Sequence, residues 1–512
     1  MTQTIGIDLG TTYSSVAVLR SSGKPEVLKN QDGDPITPSV VLFQNFNGAD
    51  EPLVGTMAKH SAATSPLDTI QFVKRHMGDP HWRFDSSSGA TYTPEEISAI
   101  ILKRLKQDAE LALGESVTDA VITVPAYFDD ARRMATKHAG KIAGLNVLGI
   151  LNEPTAAALS YGLDTEEAGT VLVYDLGGGT FDVTIMKIED GDFESIATEG
   201  DRNLGGFDFD NALMKLIANE MESQGARKVL EDMDATAALR EKAEMAKRAL
   251  TTVSNTNAHM SFEGKQYRVQ VSRSGFEEVT RSLLNRTQEL VEDVLEAAGM
   301  TWNQIDHVLL VGGSTRMPMV REMVQKISGK PIELNVNPDE AVALGAAIKA
   351  AILNAASSPG DAVELFNGRE ISISDVASQA LGVITVTGPN HDIEKNTVVI
   401  PRNSKIPGKY STVLSTVVAN QTALNVRVTQ GDDEDPDFVT VVGESTLSLP
   451  AYPADSPIRV TYHYDIDQTI FVEVDDLVAN KSLGTFEIDR LANMDNAAVT
   501  AAVAKLASIS VS

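Results

Sequence analysis

The chain has 512 residues, 42% of them hydrophobic and 22% charged, with 43 basic and 71 acidic side chains and a formal net charge of −28. This composition predicts a soluble protein of about two to four domains, and the absence of cysteine excludes disulfides, thiolate metal sites and cysteine nucleophiles. The acidic balance argues against broad binding to nucleic acid or anionic lipid. No apolar run reaches roughly 18 residues and the N-terminus lacks a signal-peptide pattern, so we expect a cytoplasmic protein.

The N-terminal stretch TIGIDLGTTYSSVAV predicts a hairpin whose tip can receive an anion. Residues 4–9 have the pattern of a strand with Asp8 near its end, and residues 14–19 have the alternating pattern of a returning strand. The turn between them is formed by Gly10, Thr11 and Thr12.

Two charged side chains in the next segment are candidates for chemistry. Lys74, in DTIQFVKRHM, is a candidate cation, although a single lysine on a helix is usually only solvated. After a helix predicted over 93–113, Glu153 precedes Pro154 at a strand-to-helix junction, which presents its carboxylate at a defined point. Simple capping of that helix is the alternative for Glu153.

The hairpin pattern recurs in VLVYDLGGGTFDVTI, residues 171–185. An apolar strand ends at Asp175, three glycines turn the chain, and Thr180 opens a strand that carries Asp182. Glycines let backbone N–H groups approach a phosphate, and the flanking carboxylates suggest an intervening divalent cation or its waters. An ordinary glycine-rich turn is the alternative for one hairpin alone. Its recurrence 167 residues after Asp8 predicts two related lobes, with one hairpin on each side of a polyphosphate.

Two later stretches can hold the rest of a nucleotide. The helix predicted over 237–250 carries a polar stripe, solvated by default but able to contact a base or ribose, formed by Glu244, Lys247, Arg248 and Thr251. In VLLVGGSTR, residues 308–316, a buried strand runs into two glycines and a helix, where a nucleotide can lie against the backbone. A capped helix is predicted over 337–350.

The composition then changes to that of a linker followed by β-structure. From about residue 354 the chain is rich in Ser, Pro, Gly and Asp, and it continues through EISISD, residues 370–375. The segments after it lack helical periodicity and alternate as half-buried strands of a sandwich do, at 381–387, 413–418, 424–428, 458–464, 470–474 and 485–488. A weak helix is predicted over 496–507.

These motifs resemble those of a known superfamily. The two aspartate-ended hairpins and VGGSTR resemble the phosphate and adenosine motifs of actin, sugar kinases and heat-shock ATPases. The sequences IGIDLGTTYSSVAV, VITVPAYFDDARR, ILNEPTAAALSYGLD, VYDLGGGTFDV and LLVGGSTRMP are similar to those of the DnaK-type chaperones, the seventy-kilodalton heat-shock proteins. The resemblance implies an α/β two-lobed actin-like (ribonuclease-H-like) ATPase domain in 1–365, a linker in 366–380, an all-β sandwich peptide-binding domain in 381–490 and a short helical tail in 491–512.

The resemblance also implies a role for each matching residue in the hydrolysis of ATP to ADP and phosphate. Lys74 would polarise the attacked γ-phosphate and Glu153 would orient metal-bound water. Asp8, Asp175 and Asp182 would hold Mg²⁺, largely through water, and a monovalent cation such as K⁺; with Thr180 they complete the catalytic set. The implied nucleotide contacts are Gly10, Thr11, Thr12, Tyr13, Gly177, Gly178, Gly179, Gly205, Gly206, Glu244, Lys247, Arg248, Thr251, Gly312, Gly313, Ser314, Arg316 and Asp339.

Further resemblances concern communication and partners. Pro125 and Arg133 match residues proposed to relay the nucleotide state. NKSLGTFEID and VANQTALNVRVTQG resemble the chaperone's peptide-binding β-domain, which implies a cleft for an extended apolar peptide, with core packing as the alternative for each lining residue: Val383, Val386, Leu414, Val417, Leu424 and Val426. Unfolded polypeptide, a J-domain co-chaperone and a nucleotide exchange factor are the expected partners, with no nucleic acid and no membrane.

Several features depart from the family pattern. The chain ends at Ser512 after one short helix where the family has a helical lid, and serines at 372 and 374 interrupt an aliphatic linker. Phe207 replaces a usual acidic residue after the glycine pair, and DDEDPD, 432–437, forms an acidic loop. We therefore expect weakened coupling between the domains and rapid exchange of bound peptide.

Three other functions remain as alternatives. A sugar kinase or a filament-forming actin relative would share both hairpins, but neither explains a β-sandwich after a linker. A chaperone-like ATPase with one dedicated protein partner is the stronger alternative.

Overall fold

The structure, a computed structural model, describes residues 3–165, 168–333, 337–356, 371–387, 393–465, 469–488 and 493–512. It is a mixed α/β protein, and in these ranges no helix is both long and apolar enough to cross a membrane. The first elements are β1 (Gln3–Asp8), β2 (Tyr13–Leu19), β3 (Pro25–Leu28), β4 (Thr37–Pro38), β5 (Val40–Phe46), β6 (Ala49–Val54), α1 (Thr56–Ser61), β7 (Thr69–Gln71), a 3₁₀ helix (Val73–His76), β8 (Phe84–Asp85), β9 (Thr91–Tyr92), α2 (Pro94–Leu113), β10 (Val117–Val124), α3 (Asp130–Ile142) and β11 (Asn146–Asn152).

The middle of the chain alternates between strands and long helices. Its elements are α4 (Glu153–Thr165), β12 (Gly169–Leu176), β13 (Phe181–Glu189), β14 (Asp192–Asp201), α5 (Gly206–Ser223), a 3₁₀ helix (Val229–Glu231), α6 (Met233–Ala249), β15 (Asn255–Phe262), β16 (Lys265–Ser272), α7 (Arg273–Ala297), a 3₁₀ helix (Trp302–Gln304), β17 (His307–Val311), a 3₁₀ helix (Gly313–Arg316), α8 (Pro318–Ser328) and α9 (Ala341–Ala356).

The last part of the chain is mainly β-structure. Its elements are β18 (Ser372–Val376), β19 (Leu381–Thr387), β20 (Ile393–Ile400), β21 (Lys405–Ile406), β22 (Gly408–Ser415), β23 (Gln421–Gln430), a 3₁₀ helix (Pro436–Phe438), β24 (Thr440–Tyr452), β25 (Pro457–Tyr464), β26 (Ile470–Asp476), β27 (Lys481–Glu487) and α10 (Asn496–Ala507). The boundary predicted at residue 365 lies outside the described residues.

Each predicted hairpin lies in its own six-stranded sheet. The first sheet has the order β11-β10-β1-β2-β3, with β4 paired to β2, and the second has the order β17-β12-β13-β14-β18-β21. In both, an antiparallel hairpin lies beside a parallel strand, β10 or β17. The sequence predictions of both hairpins are confirmed, and the carboxyl ends of β1 and β12 place Asp8 and Asp175 at corresponding points.

Two alanine-rich helices, α4 and α9, pack against each other. A Cβ atom at Gly345 in α9 would lie 1.8 Å from the carbonyl oxygen of Ala156 in α4. Only a residue without a side chain permits this approach. The many alanines of both helices are explained by the same constraint, because larger side chains would separate the elements that frame the cleft.

The helix α2 illustrates how local sequence sets its ends. Thr93 accepts a hydrogen bond from the Glu96 N–H while the Glu96 carboxylate accepts one from the Thr93 N–H, and Pro94 occupies the first turn. Gly114 ends the helix in a left-handed conformation. The helix predicted over 93–113 is therefore confirmed.

Two four-stranded antiparallel sheets form the β-sandwich, with the orders β20-β19-β23-β24 and β22-β25-β26-β27. Their inner faces share one hydrophobic core, to which Leu381 and Val428 contribute from one sheet and Val460 and Val472 from the other. The sequence missed β20 and β24, and β22 ends at Ser415, before the predicted end at 418.

The segment predicted as a linker forms a strand where it is described. β18 pairs in parallel with β14 and antiparallel with β21, so it joins the second sheet to a loop of the sandwich. The Ser372 hydroxyl donates a hydrogen bond to Asp192 of β14. The Asp375 carboxylate accepts hydrogen bonds from Asn152 (2.6 Å) and Thr155 (3.2 Å). The serines therefore do not exclude this segment from the sheet.

The C-terminal helix α10 packs away from the sandwich, against α2 and α3. Val499 and Leu506 are buried in the same core as Ile97 of α2. Lys103 donates hydrogen bonds to the carbonyl oxygens of Leu506 and Ile509. The helix predicted over 496–507 is confirmed, and its apolar side belongs to the core of the first sheet.

Candidate functional site

The tips of the β1–β2 and β12–β13 hairpins touch each other beside a cavity of about 440 Å³. A Cβ atom at Gly178 would lie 1.9 Å from the Thr12 hydroxyl oxygen, and one at Gly179 would lie 2.5 Å from the Thr11 methyl carbon. The glycines are thus required by the contact between the two tips. Residues of both hairpin tips therefore line one cavity.

Most residues predicted to bind nucleotide or to act in catalysis line this cavity. They are Asp8, Gly10, Thr11, Thr12, Tyr13, Lys74, Glu153, Asp175, Gly177, Gly178, Thr180, Gly206, Glu244, Lys247, Arg248, Thr251, Gly312, Gly313, Ser314, Arg316 and Asp339. Three predicted residues do not line the cavity: Gly179, Gly205 and Asp182. Gly205 packs against Gly179. Asp182 is 1% exposed and pairs with Asp175 across β12 and β13. The geometry brings the predicted set together, and the role of each residue stays a prediction.

Three aspartates in the cleft have raised pKa values. Burial raises the pKa of Asp8, Asp175 and Asp182, and the negative charge of Glu153 raises each further. The pKa of Asp182 rises to about 7, although its Oδ1 accepts a 2.8 Å hydrogen bond from the Tyr127 N–H. These carboxylates thus lack sufficient positive charge to balance them.

Lys74 supplies part of the positive charge that balances these carboxylates. Its ammonium lies 2.5 Å from Glu153 Oε1, and the two side chains are only 5% and 10% exposed. Lys74 is carried by the 3₁₀ helix Val73–His76, and Glu153 is the first residue of α4. The two residues singled out separately in the sequence therefore form one buried ion pair at the cavity.

The donor set suits a hard divalent cation. Carboxylate oxygens are the ligands that Mg²⁺ prefers, and Mg²⁺ usually keeps several waters. Among the described residues, no three His, Asp or Glu side chains converge tightly enough to hold an ion directly. The positions of Asp8, Asp175 and Asp182 fit an ion beside the hairpin tips, and the metal assignment stays a prediction.

Three residues of the predicted polar stripe, Glu244, Lys247 and Arg248, lie on α6 and line the cavity, whereas Thr251 also lines it but follows the end of that helix at Ala249. Lys59 of α1, which the sequence interpretation missed, lies 2.7 Å from Glu244 Oε1 and donates a 2.8 Å hydrogen bond to the Tyr13 hydroxyl. Lys247 lies 2.9 Å from the carboxylate of Asp210, a second residue that was not predicted from the sequence. The sequence LGGFDFD contains Asp210, but nothing local indicates that it faces a lysine of α6.

A loop after Pro125 connects Arg133 with the cleft. The Arg133 guanidinium, 5% exposed as a residue, donates hydrogen bonds to the carbonyl oxygens of Ala126 (2.9 Å) and Phe128 (3.1 Å). Tyr127, between them, donates its N–H to Asp182. Arg133 therefore holds the loop that contacts a cleft carboxylate, which is compatible with the predicted relay.

The residues predicted to bind peptide divide into two groups. Val383 and Val426 are 2% and 1% exposed and lie within the sandwich core, which favours the core-packing alternative for these two. Leu414 and Leu424 are half-buried against the same core. Val386 and Val417 are also half-buried. Peptide binding by this set stays a prediction.

The site and the fold together define a protein with a cleft beside two paired hairpin tips and an attached β-sandwich. A family model described as Hsp70 protein matches residues 4–497. The chain therefore belongs to the Hsp70 family, whose members are ATP-dependent chaperones.

Replacing Asp182 with Asn is predicted to stabilise the nucleotide-free protein at alkaline pH. The folded-state pKa of about 7 exceeds the ordinary aspartate pKa of 3.8, so the folded state holds the proton more tightly, and its stability falls as pH rises through this window. The variant should gain on the order of 1 kcal/mol or more over wild type at pH 8, because one pKa unit corresponds to about 1.4 kcal/mol. The gain should shrink towards pH 5.

Urea unfolding at several pH values, in EDTA and without nucleotide, measures this difference. Asp437→Asn, at an exposed position, is the matched control and should follow the wild-type curve. An Asp182 variant whose stability keeps a constant offset from wild type between pH 5 and pH 8 would contradict the prediction.

Proposed function

We propose that this chain is a two-lobed, actin-like ATPase that hydrolyses Mg·ATP in the cleft between its hairpins and couples the nucleotide state to polypeptide binding by the β-sandwich. The observation that carries the proposal is the meeting of both hairpin tips beside Lys74, Glu153 and the cleft aspartates. Glycine-containing turns at both tips suit a polyphosphate, and buried carboxylates suit a divalent cation.

The residues divide the chemistry between them. Backbone amides at the tips and the hydroxyls of Thr11, Thr12 and Thr180 would bind the phosphates. Magnesium, when bound, supplies neutralisation of phosphate charge, and Asp8, Asp175 and Asp182 would hold it through water. The ammonium of Lys74 stabilises charge on the phosphoryl oxygens, and the carboxylate of Glu153 accepts a hydrogen bond from the attacking water. Positioning and charge stabilisation account for most of the acceleration of such a reaction.

The sandwich is in contact with the ATPase part, which supports coupling between them. Arg402, in a sandwich loop, pairs with Glu199 of β14, and Lys405 lies 2.6 Å from Glu194 of the same strand. The backbone N–H of Thr198 donates a 3.1 Å hydrogen bond to the Asn403 side chain. Movement of β14 on nucleotide binding would therefore reach the sandwich through this loop and β18.

The proposed setting follows the family. Unfolded or extended polypeptide is the proposed client, a J-domain protein and a nucleotide exchange factor are the proposed partners, and the cytoplasm is the proposed compartment. A chaperone-like ATPase with one dedicated partner is the second candidate, because Val383 and Val426 are buried in the core instead of open to a peptide.

Thr180→Ala is predicted to slow hydrolysis while leaving nucleotide binding largely intact. Thr180 is 7% exposed and lines the cavity, and its carbonyl oxygen, which accepts a hydrogen bond from Gly177 at 3.0 Å, remains in the variant. Loss of one hydroxyl donor should lower single-turnover hydrolysis by roughly 10- to 100-fold. Thr180→Ser should restore most of the rate, and unchanged hydrolysis in the alanine variant would refute the assigned role.

Steady-state ATP turnover with and without a J-domain protein and an apolar peptide tests the wider function. Stimulation by both is the expected result, since a general chaperone couples client and co-chaperone to hydrolysis. Stimulation by neither would favour the dedicated-partner ATPase. Phosphorylation of added hexose at the expense of ATP would overturn the proposal in favour of a kinase.

A further inference from the structure

Two aromatic rings and two guanidinium groups meet around Phe207, the residue that departs from the family pattern. The ring of Phe207, at the start of α5, contacts Phe72 edge to face with centroids 4.5 Å apart. The guanidinium carbons of Arg75 and Arg240 lie 4.6 Å and 4.8 Å from its centroid. This group, the Phe207 cluster, consists of Phe72, Arg75, Phe207 and Arg240.

The cluster joins segments that belong to different sheets. Phe72 immediately precedes the 3₁₀ helix that follows β7 and Arg75 lies within it, whereas Phe207 and Arg240 belong to α5 and α6, which pack in the core of the second sheet. An ion pair of 2.7 Å between Arg75 and Asp208 lies beside the ring, with side chains 12% and 21% exposed. The contacts thus cross from one side of the cleft to the other.

Both ends of the cluster connect directly to the site. The backbone N–H of Phe207 donates a 2.8 Å hydrogen bond to the carbonyl oxygen of Gly178, in the tip of the second hairpin. On the other side, Lys74 lies between Phe72 and Arg75 in sequence, on the same 3₁₀ helix. The side chain of Phe207 therefore contacts the segment that carries the lysine, while its backbone contacts the phosphate turn.

The conformation of Phe72 indicates that this contact is needed. Phe72 has φ 62° and ψ 26°, the left-handed region that residues other than glycine rarely adopt. Such a conformation persists only where the surroundings hold it. The Phe72 ring packs against Phe207, and this contact helps to hold the left-handed conformation. Phe72 immediately precedes the turn that carries Lys74.

We propose that Phe207 is a positioning residue that holds the Lys74 segment against the phosphate turn through an aromatic and cation–π clasp across the cleft. The inference rests on the proposed function of the cleft as an ATPase site. A carboxylate at position 207 could link Arg75 and Arg240 by charge, but salt would screen it, whereas the aromatic contact depends little on salt. The phenyl ring thus makes closure at this point less dependent on ionic strength than a carboxylate would.

Phe207→Ala tests the clasp by separating binding from catalysis. Single-turnover hydrolysis at saturating ATP should fall about 10-fold, the size expected when a charged group is misplaced by a small distance, while the nucleotide Kd changes less than about twofold. Phe207→Tyr should retain most of the wild-type rate. Phe46→Ala removes a ring that is 63% exposed on β5 and should behave as wild type.

Phe207→Glu provides a second and independent test of the clasp. Its hydrolysis rate should approach that of wild type at low ionic strength and fall several-fold when choline chloride is raised to about 0.5 M at constant potassium. The wild-type rate should stay nearly constant. A Phe207→Ala rate equal to wild type, parallel losses of affinity and rate, or a salt-independent Phe207→Glu rate would overturn the proposal.

A readout without catalysis distinguishes failure of the clasp from failure of the proposed function. Trp82 stacks on His76 of the same 3₁₀ segment at 4.7 Å and 16°, and the chain has only two tryptophans. In a Trp302→Phe background, Phe207→Ala should increase acrylamide quenching of Trp82, and Phe207→Tyr should not. Increased quenching without ATP hydrolysis by the parent protein would support the clasp and refute the ATPase. Unchanged quenching would overturn the clasp.

Discussion

Like charge buried in a narrow cleft is the constraint on which the rest of this structure depends. Asp8, Asp175 and Asp182 share the cleft with Glu153, and each aspartate has a raised pKa because burial and the glutamate disfavour its charged form. Such an arrangement costs stability unless positive charge enters. The fold tolerates this cost at the hairpin tips, where a divalent cation would supply that charge.

Much of the architecture serves to bring these groups together. Alanines and glycine let α4 and α9 pack closely, which holds the two sheets near enough for their hairpin tips to touch. The 3₁₀ helix after β7 then delivers Lys74 to Glu153 from the first sheet's side. The Phe207 cluster and the Lys59–Glu244 pair connect the two sides of the cleft at further points.

Local sequence predicted the parts of the site that are made by contiguous residues. The hairpins, the helix α2 and the polar residues on α6 follow from strand alternation and helical spacing. The pairs Lys59–Glu244 and Lys247–Asp210 join residues far apart in the chain, so no local pattern indicates them. The burial of Val383 and Val426 could not be predicted either, because the alternation of apolar residues does not reveal which face of a strand is covered.

The linker shows why segment composition can mislead. Its serines predicted weakened docking, yet β18 completes a ladder between β14 and β21 through backbone hydrogen bonds that any residue can make. Composition describes side chains, whereas a strand between two neighbours is held mainly by its backbone. The hydrogen bonds of Asp375 with Asn152 and Thr155 add side-chain contacts to this backbone pairing.

Location of a bound divalent cation tests the central claim most directly. Crystals grown with ADP, phosphate and Mn²⁺ in place of Mg²⁺ would show manganese by its anomalous scattering. The expected result is a peak beside the two hairpin tips, facing Asp8, Asp175 and Asp182 with water between ion and carboxylates. Nucleotide bound in the cleft with manganese elsewhere, or a peak that persists unchanged when Asp8 and Asp175 are both replaced by Asn, would contradict it.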